Sequence, residues 1–241
     1  MSVQYLYDTS SGIEVIFCEG TTFSYPAHNH VSVFTGGIVL RGAVVFTAGG
    51  AARICKAGAC FAVPPYISHQ IEAGGPYTLL TVCVPKSRLR DDWEALQAPL
   101  RRLLSVSGAA LTGVQVARLM EALTSFNAAP AHGGPPWVEQ ARARLEQRPE
   151  EAVCVADMAR AGYISPCHFI RCFRRYVGLT PHQFQMQNRV RMGQRLLRTQ
   201  FSSTDAALAA GFCDQSHFIR QFKKQVGLTP TAYQRACRAL G

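Results

Sequence analysis

"HFIRCFRRYVGLTP" occupies residues 168–181, and "HFIRQFKKQVGLTP" follows forty-nine positions later at residues 217–230. Ten of the fourteen positions are identical and two more exchange Arg for Lys. Each copy sets two aromatics four residues apart, Phe169 and Phe173, then Phe218 and Phe222. That spacing puts each pair on one helix face, where burial suits them. The other faces carry Arg171, Arg174 and Arg175 in the first copy, and Arg220, Lys223 and Lys224 in the second. The glycine of each "VGLTP" can end its helix, and Thr-Pro can cap and start the next.

Small residues lead into each copy. "VADMARAGYIS" precedes the first and "TDAALAAGFCD" the second, which aligns Gly162 with Gly211 and Tyr163 with Phe212. A helix, a tight turn and an amphipathic basic helix make a helix-turn-helix unit. Its second helix is the one that enters a DNA major groove. A solenoid is the bland alternative, but two copies are fewer than the three or so that such arrays need. Between the units lies "PHQFQMQNRVRMGQRLLRT", residues 181–199, which as a helix would be about 28 Å long. Two readers on such a connector reach successive major grooves, roughly 34 Å apart, the more easily where DNA bends.

Charge divides along the same line. Residues 1–135 hold nine Lys/Arg against eight Asp/Glu, whereas residues 136–241 hold sixteen against seven. A near-neutral first half and a basic second half point to a polyanionic partner for the second half alone. Apolar stretches fall short of the roughly 20 residues that cross a bilayer. The opening "MSVQYLYDTSSGIEVIF" lacks a basic n-region and cleavage pattern, so no secretory leader is expected. Nine scattered cysteines form no disulfide framework. The expectation is a cytoplasmic protein with reduced thiols.

The first half reads as strands up to about Pro85. "GIEVIFCEG" and "TLLTVCV" are short apolar runs, and "AVVFTAGGAARICKAGACFAV" holds Gly-bearing turns at Gly49-Gly50 and residues 56–59. Pro64-Pro65 ends a strand. Such spacing predicts a sandwich or a barrel. Two helices follow: "DDWEALQAPLRRLL", opened by Asp91-Asp92 and interrupted at Pro99, and "LTGVQVARLMEALTSF", with Leu111, Val114, Val116, Leu119, Met120 and Leu123 near one face. They serve either as a lid or as a self-association surface, and the second reading is preferred. "NAAPAHGGPP", residues 127–136, reads as a linker.

Residues 153–238 resemble the DNA-binding domain of AraC/XylS-family transcription regulators. The segment "AALAAGFCDQSHFIRQFKKQVGLTPTAYQRACR" carries the resemblance through its alanine-rich helix, Gly-Phe turn, Ser-x-Phe, Phe-Lys and Gly-x-Thr-Pro. The resemblance implies base reading by Cys167, Ile170 and Arg171 in the first helix, and by Gln215, Ser216 and Arg220 in the second. Arg171 and Arg220 suit guanine and Gln215 suits adenine, while Arg174, Arg175, Lys223 and Lys224 suit phosphates. Cys167 and Ile170 leave the first helix poorer in hydrogen-bonding groups, fit for thymine methyls or for positioning.

"FSYPAHNHVSVF" and "FAVPPYISHQIEA" resemble the paired motifs of cupin barrels, found in the N-terminal domains of many such regulators. His-x-His on a strand turns both rings to one face, so His28, His30 and His69 can converge on an organic ligand or on Zn, Fe, Ni or Cu. The acidic ligand usual in metal-binding cupins is missing from "VSVFTGG", and Glu72 belongs on the strand face opposite His69. Cys55 and Cys60 flank a turn, with Cys83 as a third thiol, which keeps a redox sensor open. Cys167 and Cys172 sit five apart on a helix and point apart.

The expected fold class is therefore α+β in two domains: an N-terminal cupin-like β-barrel with appended helices, and a C-terminal all-α domain with two helix-turn-helix units. The expected bounds are a sensor and dimerisation domain over residues 1–126, a linker over 127–136 and a DNA-binding domain over 137–241. The resemblance implies a regulator, commonly an activator, that binds double-stranded DNA and a small-molecule effector, meets RNA polymerase and forms a homodimer. No catalytic residue or obligatory cofactor is expected, with a transition metal in the barrel as an option. A cupin enzyme with a basic accessory domain is the rival that the missing carboxylate opposes. An architectural DNA binder is the rival that Arg- and Gln-bearing readers oppose.

Overall fold

The structure, a computed structural model, describes residues 2–91, 93–125 and 134–240. Most of the expected linker and Asp92 of the expected Asp91-Asp92 cap lie outside the described residues, while Asp91 is the last residue of the helix Lys86–Asp91. The chain forms two compact units, Met1–Pro130 with Arg235–Gly241, and Ala131–Gln234. Among the described residues no helix is long and apolar enough to cross a membrane.

The first unit opens with nine strands: β1 (Ser2–Asp8), β2 (Glu14–Thr21), β3 (Tyr25–His28), β4 (Val33–Arg41), β5 (Ala43–Ala48), β6 (Ala51–Lys56), β7 (Cys60–Val63), β8 (His69–Ala73) and β9 (Tyr77–Pro85). Three helices follow, α1 (Lys86–Asp91), α2 (Trp93–Val106) and α3 (Gly113–Thr124). One sheet runs β1-β2-β9-β4-β7, with the C-terminal β10 (Cys237–Leu240) parallel to β1 at its edge, and the other runs β3-β8-β5-β6. The expected hairpin at Gly49-Gly50 forms between β5 and β6, where both glycines take positive φ, 58° and 86°. The strand ahead of Pro64-Pro65 stops at Val63 as expected.

Strand alternation sorts the larger sheet into two faces. On β4, Phe34 and Ile38 join the cluster under the helices, while Val39 joins the cluster between the sheets. Both backbones come close at glycines: a Cβ on Gly36 would lie 2.9 Å from Leu123, and one on Gly37 only 2.3 Å from the Phe61 ring. The result is three layers: helices, a six-stranded sheet and a four-stranded sheet. The sheets are not closed into one ladder, an arrangement compatible with the expected cupin-like fold.

Two local expectations need correction. Pro99 does not interrupt its helix, since α2 continues through it to Val106. Leu96, Leu100, Leu103 and Leu104, on both sides of the proline, are buried against the sheet. That burial outweighs one missing backbone hydrogen bond. Val114 is not on the buried face of α3: it is 64% exposed, while Leu119, Met120 and Leu123 are buried. At 100° per residue Val114 stands about half a turn from that face.

The second unit is helical: α4 (Pro136–Gln147), α5 (Val155–Ala161), α6 (Pro166–Val177), α7 (Pro181–Arg198), α8 (Ser203–Ala209) and α9 (Gln215–Val226), and the chain continues into α10 (Pro230–Ala236). Each reader helix ends as its glycine predicts, on Gly178 at φ 81° and Gly227 at φ 82°. Thr180 then caps α7 in a reciprocal box with Gln183, and Thr229 accepts from the backbone N–H of Ala232.

The alignment of Gly162 with Gly211 does not hold in three dimensions. Gly162 sits at φ −97°. Tyr163 takes the left-handed turn at φ 54°, the place that Gly211 fills at φ 80°. The following amides, of Ile164 and Phe212, bond back to Ala159 and Ala207 respectively. The first turn is thus one residue shorter before its helix cap, so the repeat slips by one position across the turn.

Candidate DNA-reading helices and sensor face

The second unit builds its two reader helices twice over from the same parts. Trp137, Phe169, Phe173 and Phe184 form a chain of rings with centroids 5.6, 5.9 and 5.8 Å apart. Phe212, Phe218, Phe222 and Tyr233 form its counterpart at 5.0, 5.3 and 5.3 Å. All four repeat phenylalanines are fully buried. This fixes the rotation of α6 and α9 and turns their cationic faces outward.

Cys167, Arg171, Arg174 and Arg175 on α6, and Gln215, Ser216, Arg220, Lys223 and Lys224 on α9, are exposed. Ile170 is half-buried, shouldered against the core side of its helix. The side chain of Ser165 caps α6 and that of Asp214 caps α9, accepting from the amides of His168 and His217. The Asp214 carboxyl is held below its ordinary pKa by that amide first, then by the Cys213 thiol. Cys172 faces His168 at 3.3 Å on α6, and Cys213 faces His217 at 3.5 Å beside α9.

In the first unit the three expected histidines come together. His28 and His69 are register partners on β3 and β8, and His30 follows two residues on. Their ring centroids lie 4.2, 5.2 and 5.3 Å apart. The Nδ1–H of His28 donates to the Pro26 carbonyl at 2.7 Å, and that of His69 to the Ile67 carbonyl at 3.0 Å. The amide of Tyr66 donates to the His30 carbonyl, which ties that residue to the loop before β8. Glu72 is exposed beside Gln70, on the strand face away from the buried His69, as expected.

Cys55 and Cys60, on either side of their turn, belong to different clusters. Cys55 packs in the cluster between the sheets, whereas Cys60 packs against the cluster under the helices. Among the described residues none of the nine cysteines forms a disulfide. Burial pushes the Cys18 thiol above its ordinary pKa despite its contact with the Tyr25 hydroxyl, and burial likewise raises Cys60. Raised thiols hold little nucleophilic thiolate.

Comparison with known proteins agrees with both halves of this description. An "AraC-like ligand binding domain" is matched over residues 10–147, and a "Helix-turn-helix domain" over residues 158–236. The chain belongs to the AraC family. It is a ligand-responsive, DNA-binding transcription regulator. Among solved structures, apo ToxT from Vibrio cholerae is 12% identical and covers 95% of this chain and 99% of that one at a TM-score of 0.60. Wild-type ToxT from the same organism, bound to an unsaturated fatty acid, is 14% identical and covers 92% and 94% at 0.57. The DNA-binding domain of AdpA in complex with a target DNA is 30% identical over 43% of this chain and 93% of that one, at 0.40. No curated protein matches in sequence.

Two groups of residues in this AraC-family chain escaped the sequence reading. Gln185 donates from Nε2 to the carbonyls of Pro149 and Glu151, and Gln234 donates likewise to Leu197 and Phe201. Each amide closes the loop that follows the preceding long helix. They too stand forty-nine apart, and following the repeat four residues past its Thr-Pro would have found them. The second group is the inward face of the larger sheet. The register row Tyr7–Glu14–Cys83–Thr35–Val63 runs beside the row Tyr5–Ile16–Thr81–Gly37–Phe61. Tyr77 donates from its hydroxyl to the Phe23 carbonyl, and burial first of all pushes the Tyr25 and Tyr77 phenols well above their ordinary values. Phenols, hydroxyls and one carboxylate on an inward face are uncommon in a purely structural core.

Proposed function

We propose that this regulator reads a bipartite DNA site with α6 and α9 in successive major grooves, and that a small molecule between the sheets of the first unit controls the reading. The duplicated reader carries this conclusion. Two capped basic helices, each locked by the same ring chain, are joined by α7, whose eighteen residues span about 27 Å at 1.5 Å per residue. That length suits neighbouring grooves roughly 34 Å apart on modestly bent DNA.

In this reading Arg171, Arg220, Gln215, Ser216, Cys167 and Ile170 face bases, with Ile170 confined to an apolar edge contact by its partial burial. Arg174, Arg175, Lys223 and Lys224 hold phosphates. His28, His30 and His69 with the inward phenols form the effector site. The fatty acid in ToxT supports a small organic effector in a similar fold. The protein acts in the cytoplasm as an activator that meets RNA polymerase, a role supported by the family resemblance. It works as a homodimer, and the exposed Val114 face of α3 supports self-association. The effector shifts DNA affinity only by binding the two states of the regulator unequally.

The test is selection of sites from a random duplex library with the full-length protein, with and without a cell metabolite extract. The expected product is a motif of two half-sites about one helical turn apart, altered by extract. Enrichment of no motif in either condition overturns the reading.

A further inference from the structure

Cys213 stands exposed in the turn between α8 and α9, one residue ahead of the Asp214 cap. Its sulfur meets two acceptors, Asp214 Oδ2 at 3.3 Å and His217 Nδ1 at 3.5 Å. The buried Phe212 ring stands edge-on to the imidazole with centroids 5.4 Å apart and fixes its direction. Cations surround the same group. After the His217 amide and the thiol, the charges of Arg220 and His217 help to hold the Asp214 carboxyl below its ordinary pKa, and the Cys213 sulfur acts electrostatically on the Arg189 guanidinium. The repeat does not account for this cluster. His168 and His217 are repeat partners, yet Ile164 stands where the interval of forty-nine would place a counterpart of Cys213. Cys172 instead reaches His168 from four residues later, half-buried in the body of α6. A thiol in contact with an imidazole is a nucleophile with its base, and a nearby carboxylate favours the imidazolium that forms when the sulfur gives up its proton.

We propose that Cys213 is a covalent modification site for a soft electrophilic carbon of the α,β-unsaturated carbonyl class, and that the adduct shuts off DNA reading by α9. The S–H proton passes to His217 Nδ1 as the sulfur attacks the β-carbon. The S–C bond forms, the C=C π pair moves onto the carbonyl oxygen, and the enolate takes the proton back at its α-carbon. Nothing leaves, and neither an oxidant nor a second thiol is needed. The product has no S–H to give Asp214. It carries its new carbon chain beside Gln215 and Ser216, at the end of α9 that a major groove would receive. The shut-off rests on the DNA-reading conclusion above. The reaction at the sulfur does not.

The experiment treats the reduced full-length protein with N-ethylmaleimide and follows each cysteine by peptide mass spectrometry. Cys154, the exposed N-cap residue of α5, is the reference thiol. Cys213 is expected to be labelled at least about tenfold faster than Cys154, and His217→Gln to remove that advantage. Asp214→Asn, which keeps a capping side chain, serves as a second variant if His217→Gln fails to fold, as circular dichroism will show, and is expected to slow the labelling too. Equal rates at the two thiols, or a Cys213 rate that neither variant changes, overturns the site. Operator binding is measured before and after a brief treatment in which Cys213 leads. A loss of affinity of at least about tenfold is expected, while Cys213→Ala binds as the parent does and keeps its affinity through the same treatment. Labelled protein that binds operator undiminished overturns the shut-off alone. Selective labelling of a protein that selects no operator motif overturns the shut-off together with the DNA reading, and leaves the reaction at Cys213 standing.

Discussion

In the first reader Phe169 and Phe173 lie between Trp137 and Phe184; in the second Phe218 and Phe222 lie between Phe212 and Tyr233. The helix-ending glycines, the Thr-Pro starts and the loop-closing glutamines match as well. What differs is the first turn of each reader helix. α6 begins Pro166-Cys167, and α9 begins Gln215-Ser216. The reading end of α6 has lost the side-chain donors and acceptors that the second keeps, while both retain three cations. A duplicated scaffold can be held constant while its two surfaces divide the labour, one mainly gripping the backbone and the other distinguishing bases.

The largest expected effects test whether the scaffolds are equivalent. Phe173→Ala and Phe222→Ala each empty a fully buried ring site and should each cost about 3–5 kcal/mol, read by denaturant unfolding of the full chain. A near-neutral result for one of them would show that its ring chain does not hold its reader. Gly211→Ala comes next. Its φ of 80° and a Cβ only 2.5 Å from the Glu150 carbonyl oxygen predict a loss of about 2–4 kcal/mol. Gly162→Ala, at an ordinary φ of −97°, should cost less because only the Trp137 ring must give way.

Base reading should be unequal. Gln215→Ala is expected to weaken operator binding by about 1–3 kcal/mol and to relax the sequence at one position of the second half-site. Cys167→Ala should change affinity by less than about tenfold and leave the preferred sequence as it was. Binding titrations against the selected operator and single-base variants measure both. Equal effects would break the proposed division. Arg174→Ala and Lys223→Ala should weaken all sequences alike and flatten the salt dependence by about one charge each.

The repeat made this half of the molecule legible, because identical residues at a fixed interval must solve the same packing problem. The caps, buried pairs and outward cations could all be placed from it. The turn slipped by one residue because the fixed interval of forty-nine was carried across it, and Tyr163 occupies a backbone region where Gly was expected. In the first unit the strands and the histidine convergence were legible from alternation and from His-x-His. Pro99 and Val114 were misplaced because local signals there compete with burial against a sheet that comes from distant parts of the chain. The inward rows of tyrosine, threonine and Glu14 depend on strand register, which short apolar runs do not specify.

The smallest prediction goes to the turn that distinguishes the two units. Tyr163 holds a left-handed backbone at φ 54°, and its side chain is 98% exposed, so packing does not compensate the strain. A non-glycine residue in that region carries a penalty of about 1 kcal/mol or more, partly offset by the extra unfolded-state freedom that glycine brings. Tyr163→Gly should therefore stabilise the chain slightly, by up to about 1 kcal/mol, and Tyr163→Asn by less. If unfolding shows that gain and operator affinity is unchanged, the tyrosine is an accident of the shorter turn. If Tyr163→Gly is more stable but binds DNA more weakly, the ring is retained for a contact that the second reader, with its glycine, does not make.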